Sequence, residues 1–312
     1  MDSAHPLVTK RRYVTADVFT ERKFGGNPLA VVLDAEDLAT EQMQAIALEF
    51  NYSETSFVLP PDDPAHTAKV RIFTPRAEVP FAGHPNVGTA FLLARENQFE
   101  AAARAGSFVF EEAAGLVPIR LLCERGLTVG AELRAPEALS RRTALSRDAA
   151  AACLSLNPSD VATQVHAPQV VSVGLPFLVV ELASRDALSR AKPNLAAHAE
   201  FLPLDGADAV FAYWRAAQEP ASPEETILHA RMFSPLDGIA EDPATGSASA
   251  ATVALLASLG PGERAERTWR IHQGVDMGRP SLLLGRTTIR DGIAVATHIG
   301  GRCVAVLAGS FV

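Results

Sequence analysis

Two short stretches of this sequence place a proton-active side chain immediately before a proline, at the start of an apolar run. The stretch "FAGHPNVGTAFLLA" carries His84, and "AEDPATGSASAATVALLA" carries Asp242 at the matching place. A third stretch, "FNYSETSFVLP", carries Glu54 between a helix-like segment and an aromatic, strand-like one. Imidazole and carboxyl groups are the side chains that most often act as general acids and bases. These three residues make proton transfer the first chemistry to consider.

The same turns offer backbone groups to an anion. A proline is compatible with the first turn of a helix, and the N–H groups that follow it, with the positive end of the helix dipole, attract a carboxylate. Gly83, Gly246 and Ser247 are small enough for a ligand to approach the backbone closely. Ser53, next to Glu54, is a further hydrogen-bond donor. The pattern therefore predicts a small ligand that carries a carboxylate or another anionic group.

Purely local roles compete with these assignments. His84 could simply be a helix-start residue that hydrogen-bonds locally, and Asp is a preferred helix N-cap, which accounts equally well for Asp242. Glu54 reads either as an exposed loop-end residue or as a carboxyl group in an apolar cleft, where desolvation raises the pKa. A hydrolase that uses Ser247 with His84 and Asp242 is conceivable, but the serine lacks a G-x-S-x-G nucleophile turn.

Composition narrows the class of protein. With 312 residues, 48% hydrophobic and 21% charged, the chain suits a folded protein of about two domains. Its net charge of −8 argues against nucleic acid or an anionic membrane as partner. The N-terminus has no apolar signal-peptide core, so we expect a cytoplasmic protein. Three scattered cysteines indicate neither a disulfide framework nor a metal site, and a homodimer is compatible with the sequence.

The chain contains an internal repeat. Three pairs of short segments recur in the same order at nearly constant spacing: "GNPLAVV" with "GLPFLVV", "RIFTP" with "RMFSP", and "HPNVGTA" with "DPATGSA". Collinear matches of this kind indicate duplication of one structural unit. The repeat makes a two-sided site, with His84 and Asp242 approaching one ligand, more plausible than either turn does alone. Arg71 and Arg231 fall at equivalent repeat positions, which favours a structural role such as pairing across a sheet.

Each half contains β-rich runs, Gly/Pro turns and one nearly all-apolar helical segment. Strand-like runs include "YVTADVF", "LAVVL", "TSFVLP", "KVRIFTP", "GSFVF", "QVVSVG", "PFLVVEL", "DAVFAYW" and "ARMFSP"; helical runs are "TEQMQAIALEF", "NVGTAFLLA" and "GSASAATVALLAS". A helix that is apolar on all sides must be wrapped by other structure. We therefore predict an α+β fold of two pseudosymmetric domains, each a mainly antiparallel β-roll around a central helix. The tail predicts a hairpin at Asp291-Gly292 and a last strand.

The predicted domain boundaries follow from the interruption near "LRAPEALSRRTAL". The N-terminal domain covers residues 10–132 and is completed by the C-terminal strand 300–312. The C-terminal domain covers residues 133–299, and the active site is expected in the cleft between the two domains.

Taken together, these segments resemble the phenazine-biosynthesis isomerase family, which shares the diaminopimelate epimerase fold. The resemblance runs through "DVFTERKFGGNPLAVVL", "NYSETSFVLP", "FTPRAEVPFAGHPNVGTA", "DPATGSASAA", "QGVDMGRPS" and "GGRCVAVLAG" in the family's order. It implies an active site between two domains and no cofactor. One departure concerns Asn86, where many relatives carry a threonine; it leaves the substrate pocket open to question.

The resemblance also implies roles for individual residues. The family's acid/base glutamate falls on Glu54, while His84 and Asp242 are implied to orient or relay at polar substituents of the substrate. Gly83, Gly246 and Ser247 are implied to hold its carboxylate. The turns that carry catalytic cysteines in the related epimerases have none here, which disfavours two-thiol epimerisation.

We therefore expect a cofactor-independent isomerase that shifts a proton and an allylic double bond in a small carboxylated metabolite, resembling dihydro-3-hydroxyanthranilate isomerase. Two alternatives remain: an epimerase or racemase of an amino-acid-like substrate, and a non-catalytic metabolite-binding protein of the same fold.

Overall fold

The computed structural model describes residues 11–216, 225–260 and 264–311. The chain divides into two compact units, which are described separately below. The first unit comprises Met1–Leu133 and Gly301–Val312, and the second comprises Arg134–Gly300. The last strand of the chain begins in the second unit and ends in the first.

The first unit is built mainly of strands, with one long helix and two others. Its elements in chain order are β1 (Arg12–Val18), β2 (Asn27–Val32), α1 (Thr40–Phe50), β3 (Glu54–Leu59), β4 (Ala68–Phe73), β5 (Glu78–Val79), α2 (Gly83–Leu93), α3 (Glu100–Ala105), β6 (Ser107–Glu112), β7 (Gly115–Glu124) and β8 (Leu127–Arg134). A short 3₁₀ turn at Asn97–Phe99 leads into α3.

The second unit has the same general make-up. Its elements are β9 (Ser140–Ala144), α4 (Arg147–Cys153), β10 (Gln169–Ser172), β11 (Pro176–Glu181), α5 (Arg185–Arg190), α6 (Leu195–Phe201), β12 (Val210–Arg215), β13 (Glu225–Ser234), β14 (Ile239–Asp242), α7 (Gly246–Leu259), β15 (Arg264–Gln273), β16 (Ser281–Arg290) and β17 (Ile293–Ser310). Two 3₁₀ turns, Pro158–Asp160 and Pro235–Asp237, connect these elements.

The sheet of the first unit is mixed and closes on itself. Its strands pair in the order β8, β7, β6, β4, β3, β2, β1 and β17, and β17 pairs with β8 again. The pairs β2–β3 and β4–β6 are parallel, and the other pairs with a described register are antiparallel. Closure is tight where β8 meets β17, since a Cβ on Gly130 would lie 2.0 Å from the carbonyl oxygen of Gly301.

The second unit has a sheet in the order β9, β10, β11, β12, β13, β15, β16 and β17, with β11–β12 and β13–β15 parallel. The segment that follows β8 is hydrogen-bonded to this sheet at two places. The N–H of Ala135 donates to Thr297 in β17, and that of Glu137 donates to Val173, the residue that follows β10.

Each sheet wraps one long helix. Residues His84 to Leu93 of α2 are all buried, as are nearly all residues of α7. In the first unit α2 contacts β1, β2, β3 and β7, and in the second α7 contacts β10, β11, β15 and β16. A Cβ on Gly88 would lie 2.6 Å from Leu29 and from Val18, so α2 approaches the sheet through a glycine. The prediction of a wrapped helix in each half agrees with these contacts.

The remaining helices cover outer faces of the sheets. In the first unit Met43 and Ala47 of α1 pack with Phe57 and Phe73 in one apolar cluster. In the second unit α4, α5 and α6 pack with β10, β11 and β12 in a larger cluster. None of the helices in the described ranges is long and apolar enough to cross a membrane.

Arg71 and Arg231 form equivalent ion pairs. Each donates from Nε and from a terminal nitrogen to both oxygens of one glutamate, Glu78 and Glu241 respectively, at 2.7–2.8 Å. Each guanidinium also lies over a phenylalanine two residues further along its strand, at 5.2 Å and 4.9 Å from the ring centroids. The predicted structural role, pairing across a sheet, is confirmed for both arginines.

The tail forms the predicted hairpin. Asp291 and Gly292 have φ values of 51° and 74°, as a two-residue turn with two left-handed positions requires. After this turn β17 runs without interruption from Ile293 to Ser310. Its first part pairs with β16 and its last part pairs with β1.

Candidate active site

Glu54 and His84 come together in the first unit. Glu54 is the first residue of β3, next to Leu29 of the parallel strand β2, and its side chain is 20% exposed. His84 is the second residue of α2, and its side chain is 6% exposed. Nδ1 of His84 lies 3.5 Å from Oε2 of Glu54. The two candidate acid/base residues of this half are therefore neighbours, although 30 positions separate them in the sequence.

Burial keeps the His84 imidazole neutral. Desolvation lowers the pKa of His84 from 6.5 to about 3, and a hydrogen bond with the backbone of Pro28 acts in the opposite direction without reversing it. Nε2 is buried and has no hydrogen-bond partner among the described residues. At neutral pH the ring therefore carries one proton, and either nitrogen can hold it.

We expect His84 to remain uncharged from pH 8 down to pH 5. Its folded-state pKa is below the unfolded value, so protonation favours unfolding, and stability should fall by at most roughly 1.4 kcal/mol per pH unit as the pH drops below 6.5. The imidazole carbon resonances, assigned by comparison with His84→Gln, should not shift over this range. Titration of the His84 signal near pH 6.5 would contradict the assignment.

Ser53 and Asn27 flank the acidic residue. The Ser53 hydroxyl donates to Oδ1 of Asn27 at 3.5 Å, and Asn27 is fully buried at the start of β2. Gly26 immediately precedes Asn27 with a φ of 61°, and a Cβ there would lie 2.3 Å from the carbonyl oxygen of Val18. The glycine is therefore required where the chain turns into β2. Sequence reasoning did not select Asn27, although the repeat segment "GNPLAVV" contains it.

Asp242 belongs to the second unit, where it ends β14. It is 6% exposed, and its Oδ2 accepts a hydrogen bond from the Thr245 hydroxyl. Its backbone carbonyl accepts from Nε2 of Gln273 at 2.9 Å. The carboxyl group is thus oriented by the turn that follows it.

Gln273 holds this turn at three points. Besides its bond to Asp242, Nε2 donates to the Thr245 hydroxyl at 3.0 Å, and Oε1 accepts from the Thr245 N–H at 3.0 Å. Gln273 is fully buried. The next residue, Gly274, has a φ of 72°, and a Cβ there would lie 2.6 Å from the carbonyl oxygen of Pro243. The end of β15 thus packs directly on the "DPATGS" turn, a contact that no sequence pattern indicated.

Replacing Gln273 by leucine should destabilise the second unit by about 1–3 kcal/mol, because the buried N–H of Thr245 loses its acceptor. Both tryptophans, Trp214 and Trp269, lie in this unit, so tryptophan fluorescence during urea unfolding reports on it selectively. The exposed Gln164→Leu, in the same unit, is the matched control and should leave the transition nearly unchanged. Equal urea midpoints for Gln273→Leu and wild type would contradict a stabilising role for the hydrogen bonds of Gln273.

The small residues of the two turns begin the two buried helices. Gly83 and Gly246 are the first residues of α2 and α7, and Ser247 is the second residue of α7. Gly246 is buried, whereas Gly83 and Ser247 are half-buried. The alternative that His84 and Asp242 are helix caps is wrong: the N-cap residues are Ala82 and Thr245, and neither helix has a side-chain cap.

Within residues 11–216, 225–260 and 264–311, no group of three or more His, Cys, Asp or Glu side chains is arranged to hold a metal ion.

Comparison of the sequence with known proteins assigns this chain to a protein family. The profile of a family described as phenazine biosynthesis-like protein matches residues 16–309. An uncharacterized isomerase of Mesorhizobium japonicum is 39% identical over 304 residues, which cover 96% of this chain and 98% of that protein. The trans-2,3-dihydro-3-hydroxyanthranilate isomerase of Pseudomonas chlororaphis is 34% identical over 303 residues, with 96% and 99% covered.

Solved structures agree with this fold. A phenazine biosynthesis protein of Bacillus anthracis has a TM-score of 0.82 at 24% identity, covering 98% of this chain and 100% of its own. A hydroxyproline epimerase of Agrobacterium vitis, solved with trans-4-hydroxy-L-proline, has a TM-score of 0.60 at 12% identity, covering 97% and 91%. The mixed-sheet fold is thus common to phenazine biosynthesis-like and epimerase structures.

Proposed function

We infer that this chain, an isomerase that belongs to the phenazine biosynthesis-like protein family, moves a proton within a small carboxylated substrate with Glu54 as its acid/base. The contact between Glu54 and the neutral His84 is the observation that carries this proposal. A carboxylate beside a buried, uncharged imidazole keeps its basicity better than one beside a fixed cation, because an adjacent positive charge stabilises the ionised form.

The proposed reaction needs only one proton carrier. Glu54 removes a proton from a carbon of the substrate, and the electron pair of that C–H bond becomes part of a shifted double bond. The protonated carboxyl group, whose side chain is 20% exposed, exchanges its proton with solvent and then delivers a proton to the carbon at the other end of the allylic system. Substrate and product are isomers, the carboxylate is regenerated, and no redox or group-transfer partner takes part.

His84 assists in this scheme. Because its pKa is about 3, it does not act as an imidazolium acid at neutral pH. A neutral ring can still donate from one nitrogen and accept at the other. With Nδ1 facing Glu54, Nε2 remains to contact a polar substituent of the substrate.

The substrate's carboxylate is proposed to bind backbone N–H groups at the helix starts. Gly83, Gly246 and Ser247 are the first or second residues of helices with more than two turns, and such N-termini attract anions. We also propose that Asp242 serves the same reaction as Glu54, with Thr245 and Gln273 fixing its orientation.

Duplication of one unit is part of the proposal. Both sheets follow the same series of pairings, in which an antiparallel pair, a parallel pair, an antiparallel pair and a second parallel pair follow one another. The equivalent ion pairs of Arg71 and Arg231 support it further. We propose on these grounds that the two units are pseudosymmetric.

The names of the relatives suggest the first substrate to test. Trans-2,3-dihydro-3-hydroxyanthranilate carries a carboxylate and a ring with isomerisable double bonds, as the proposed chemistry requires. The protein, dialysed against a chelator and supplied with no cofactor, should convert it in deuterated water to an isomer that carries carbon-bound deuterium, which NMR detects. Recovery of the same compound with inverted configuration would instead indicate an epimerase, and saturable binding without turnover would indicate a metabolite-binding protein.

A further inference from the structure

Glu112, the last residue of β6, is a second buried carboxyl group in the first unit. Both of its side-chain oxygens are shielded from solvent, and neither has a hydrogen-bond partner among the described residues. Burial raises the pKa of Glu112 to about 8, and the nearby side chain of Asn86, which acts to lower that pKa, offsets the effect of burial only in part. Carboxylates without partners are costly to bury, so the group is retained in its neutral form through most of the physiological range.

The carboxyl group lies at the beginning of α2. Asn86, in the first turn of that helix, is fully buried and lies beside Glu112. The N–H of Ala114 donates to the carbonyl oxygen of Pro80 at 3.1 Å, which joins the end of β6 to the segment that leads into α2. Glu112 is thus anchored next to the turn that carries His84.

The amide of Asn86 has one group satisfied and one not. Its Nδ2 donates to the carbonyl oxygen of Ala82 at 3.0 Å, which fixes the orientation of the amide. Its Oδ1 is buried and has no partner among the described residues. An ionised Glu112 could only add two more acceptors beside this one, whereas a neutral carboxylic acid supplies an O–H donor.

We propose that Glu112 is a positioning residue: as a neutral carboxylic acid it donates a hydrogen bond to Oδ1 of Asn86 and so holds the first turn of α2, which presents His84 to Glu54. One proton thereby satisfies two buried groups. The expected effect of Glu112 on catalysis rests on the proposed function. The protonation state of Glu112 does not depend on that function.

Charged groups around β6 have other partners. On the elements packed against it, Lys69 pairs with Asp62, Arg71 with Glu78, Arg120 with Glu132, Arg104 with Glu100, Arg302 with Glu124, and His66 with Glu111. His84 itself is neutral. Within the part of the chain that the structure describes, none of these cations pairs with Glu112, and burial is the main influence on its protonation.

Ionisation of Glu112 above about pH 8 should remove the donor and loosen the turn. The folded-state pKa lies above the model-peptide value of 4.5, so the folded protein binds more protons than the unfolded one between these values. Stability should consequently fall as the pH rises from about 4.5 to about 8. The turnover number should fall on the alkaline side as the same group ionises.

Glu112→Gln tests both effects, since glutamine is uncharged and its NH₂ can donate to Asn86. We expect its melting temperature to match the wild type near pH 5 and to exceed it increasingly toward pH 8, by calorimetry. Hydrogen exchange of α2 should show the same trend. At pH 7 its kcat should remain within about twofold of the wild type, and its alkaline decline near pH 8 should be absent.

The matched control is the neighbouring residue on the opposite face of β6. The side chain of Glu111 accepts from His66 and from the N–H groups of Asp62 and Asp63, which lower its pKa to about 2. Glu111→Gln should therefore lose stability at neutral pH and keep the alkaline decline of the wild type.

Three results would overturn the proposal: parallel stability profiles of Glu112→Gln and wild type across pH 5–8, an unchanged alkaline limb of kcat in Glu112→Gln, or a failure of Glu112→Gln to fold, which would mean that the charged carboxylate is needed. Failure of the proposed function is distinguishable from these, because the wild type would then show no turnover while the difference between the two stability profiles persisted.

Discussion

Glu54→Gln should lower kcat by roughly 10³-fold, within the range that general acid/base groups contribute. The substitution keeps the size and polarity of the side chain at the start of β3 but removes its ability to accept and return a proton. In the proposed reaction the same carboxyl group removes the proton and returns one, so no other group should compensate for its loss. The loss corresponds to about 4 kcal/mol in the activation barrier, measured by steady-state kinetics with the substrate at saturation.

Two controls separate proton transfer from structure. Glu49→Gln changes an exposed glutamate of the preceding helix and should leave kcat unchanged. The KM of Glu54→Gln should change much less than its kcat, because an interaction made only in the transition state is removed. A kcat for Glu54→Gln within about threefold of the wild type would exclude Glu54 as the proton carrier.

Arg231→Ala should destabilise the second unit by about 3–5 kcal/mol, the cost of removing one partner from a buried ion pair. The arginine and Glu241 are 10% and 13% exposed at their side chains. The same guanidinium donates from Nη1 to the backbone carbonyls of Leu188, Ser189 and Ala191 at the end of α5. Truncation therefore leaves a buried carboxylate and three carbonyls without this donor, and tryptophan fluorescence during urea unfolding should register the loss.

Arg71→Ala is the matched control from the first unit. Its pair with Glu78 has the same bidentate geometry, but the side chains are 22% and 33% exposed, and Arg71 donates to the Thr40 hydroxyl rather than to backbone carbonyls. We expect a loss of about 1–2 kcal/mol by circular dichroism. Equal losses for the two variants would contradict the assignment of the larger effect to burial.

The repeat was the most informative feature of the sequence. The nearly all-apolar runs predicted the two wrapped helices, and the matched segments showed that a similar turn precedes both. They also identified Arg71 and Arg231 as structural residues before either partner was known. Local patterns placed α1, α7 and the hairpin at Asp291-Gly292 well, since each depends on residues close in the chain.

Contacts between distant segments could not be predicted in this way. Gln273 clamps Thr245 across 28 positions, and nothing in "HQGVD" distinguishes it from a surface residue. Glu111 and Glu112 are adjacent, but hydrogen bonds lower the pKa of the first and burial raises that of the second. The difference arises because neighbouring residues of β6 point to opposite faces of the sheet. The start of α2 at Gly83 rather than after the proline also arises from tertiary packing, because His84 is buried inside the first turn instead of capping it.

The roles assigned to His84 and Glu54 depend on one another. A histidine held neutral by burial cannot supply positive charge, so the substrate must be activated by hydrogen bonds and by the carboxylate that accepts its proton. In the proposed reaction this division of labour assigns the proton transfer to Glu54 and an assisting role to His84.

The most direct test of that claim follows the hydrogen itself. Wild type and Glu54→Gln are incubated with trans-2,3-dihydro-3-hydroxyanthranilate in deuterated water, and the newly protonated carbon is examined by NMR. The wild type is predicted to place deuterium on that carbon, and Glu54→Gln is predicted to place none on the same timescale. Labelling by Glu54→Gln at the wild-type rate would contradict the account.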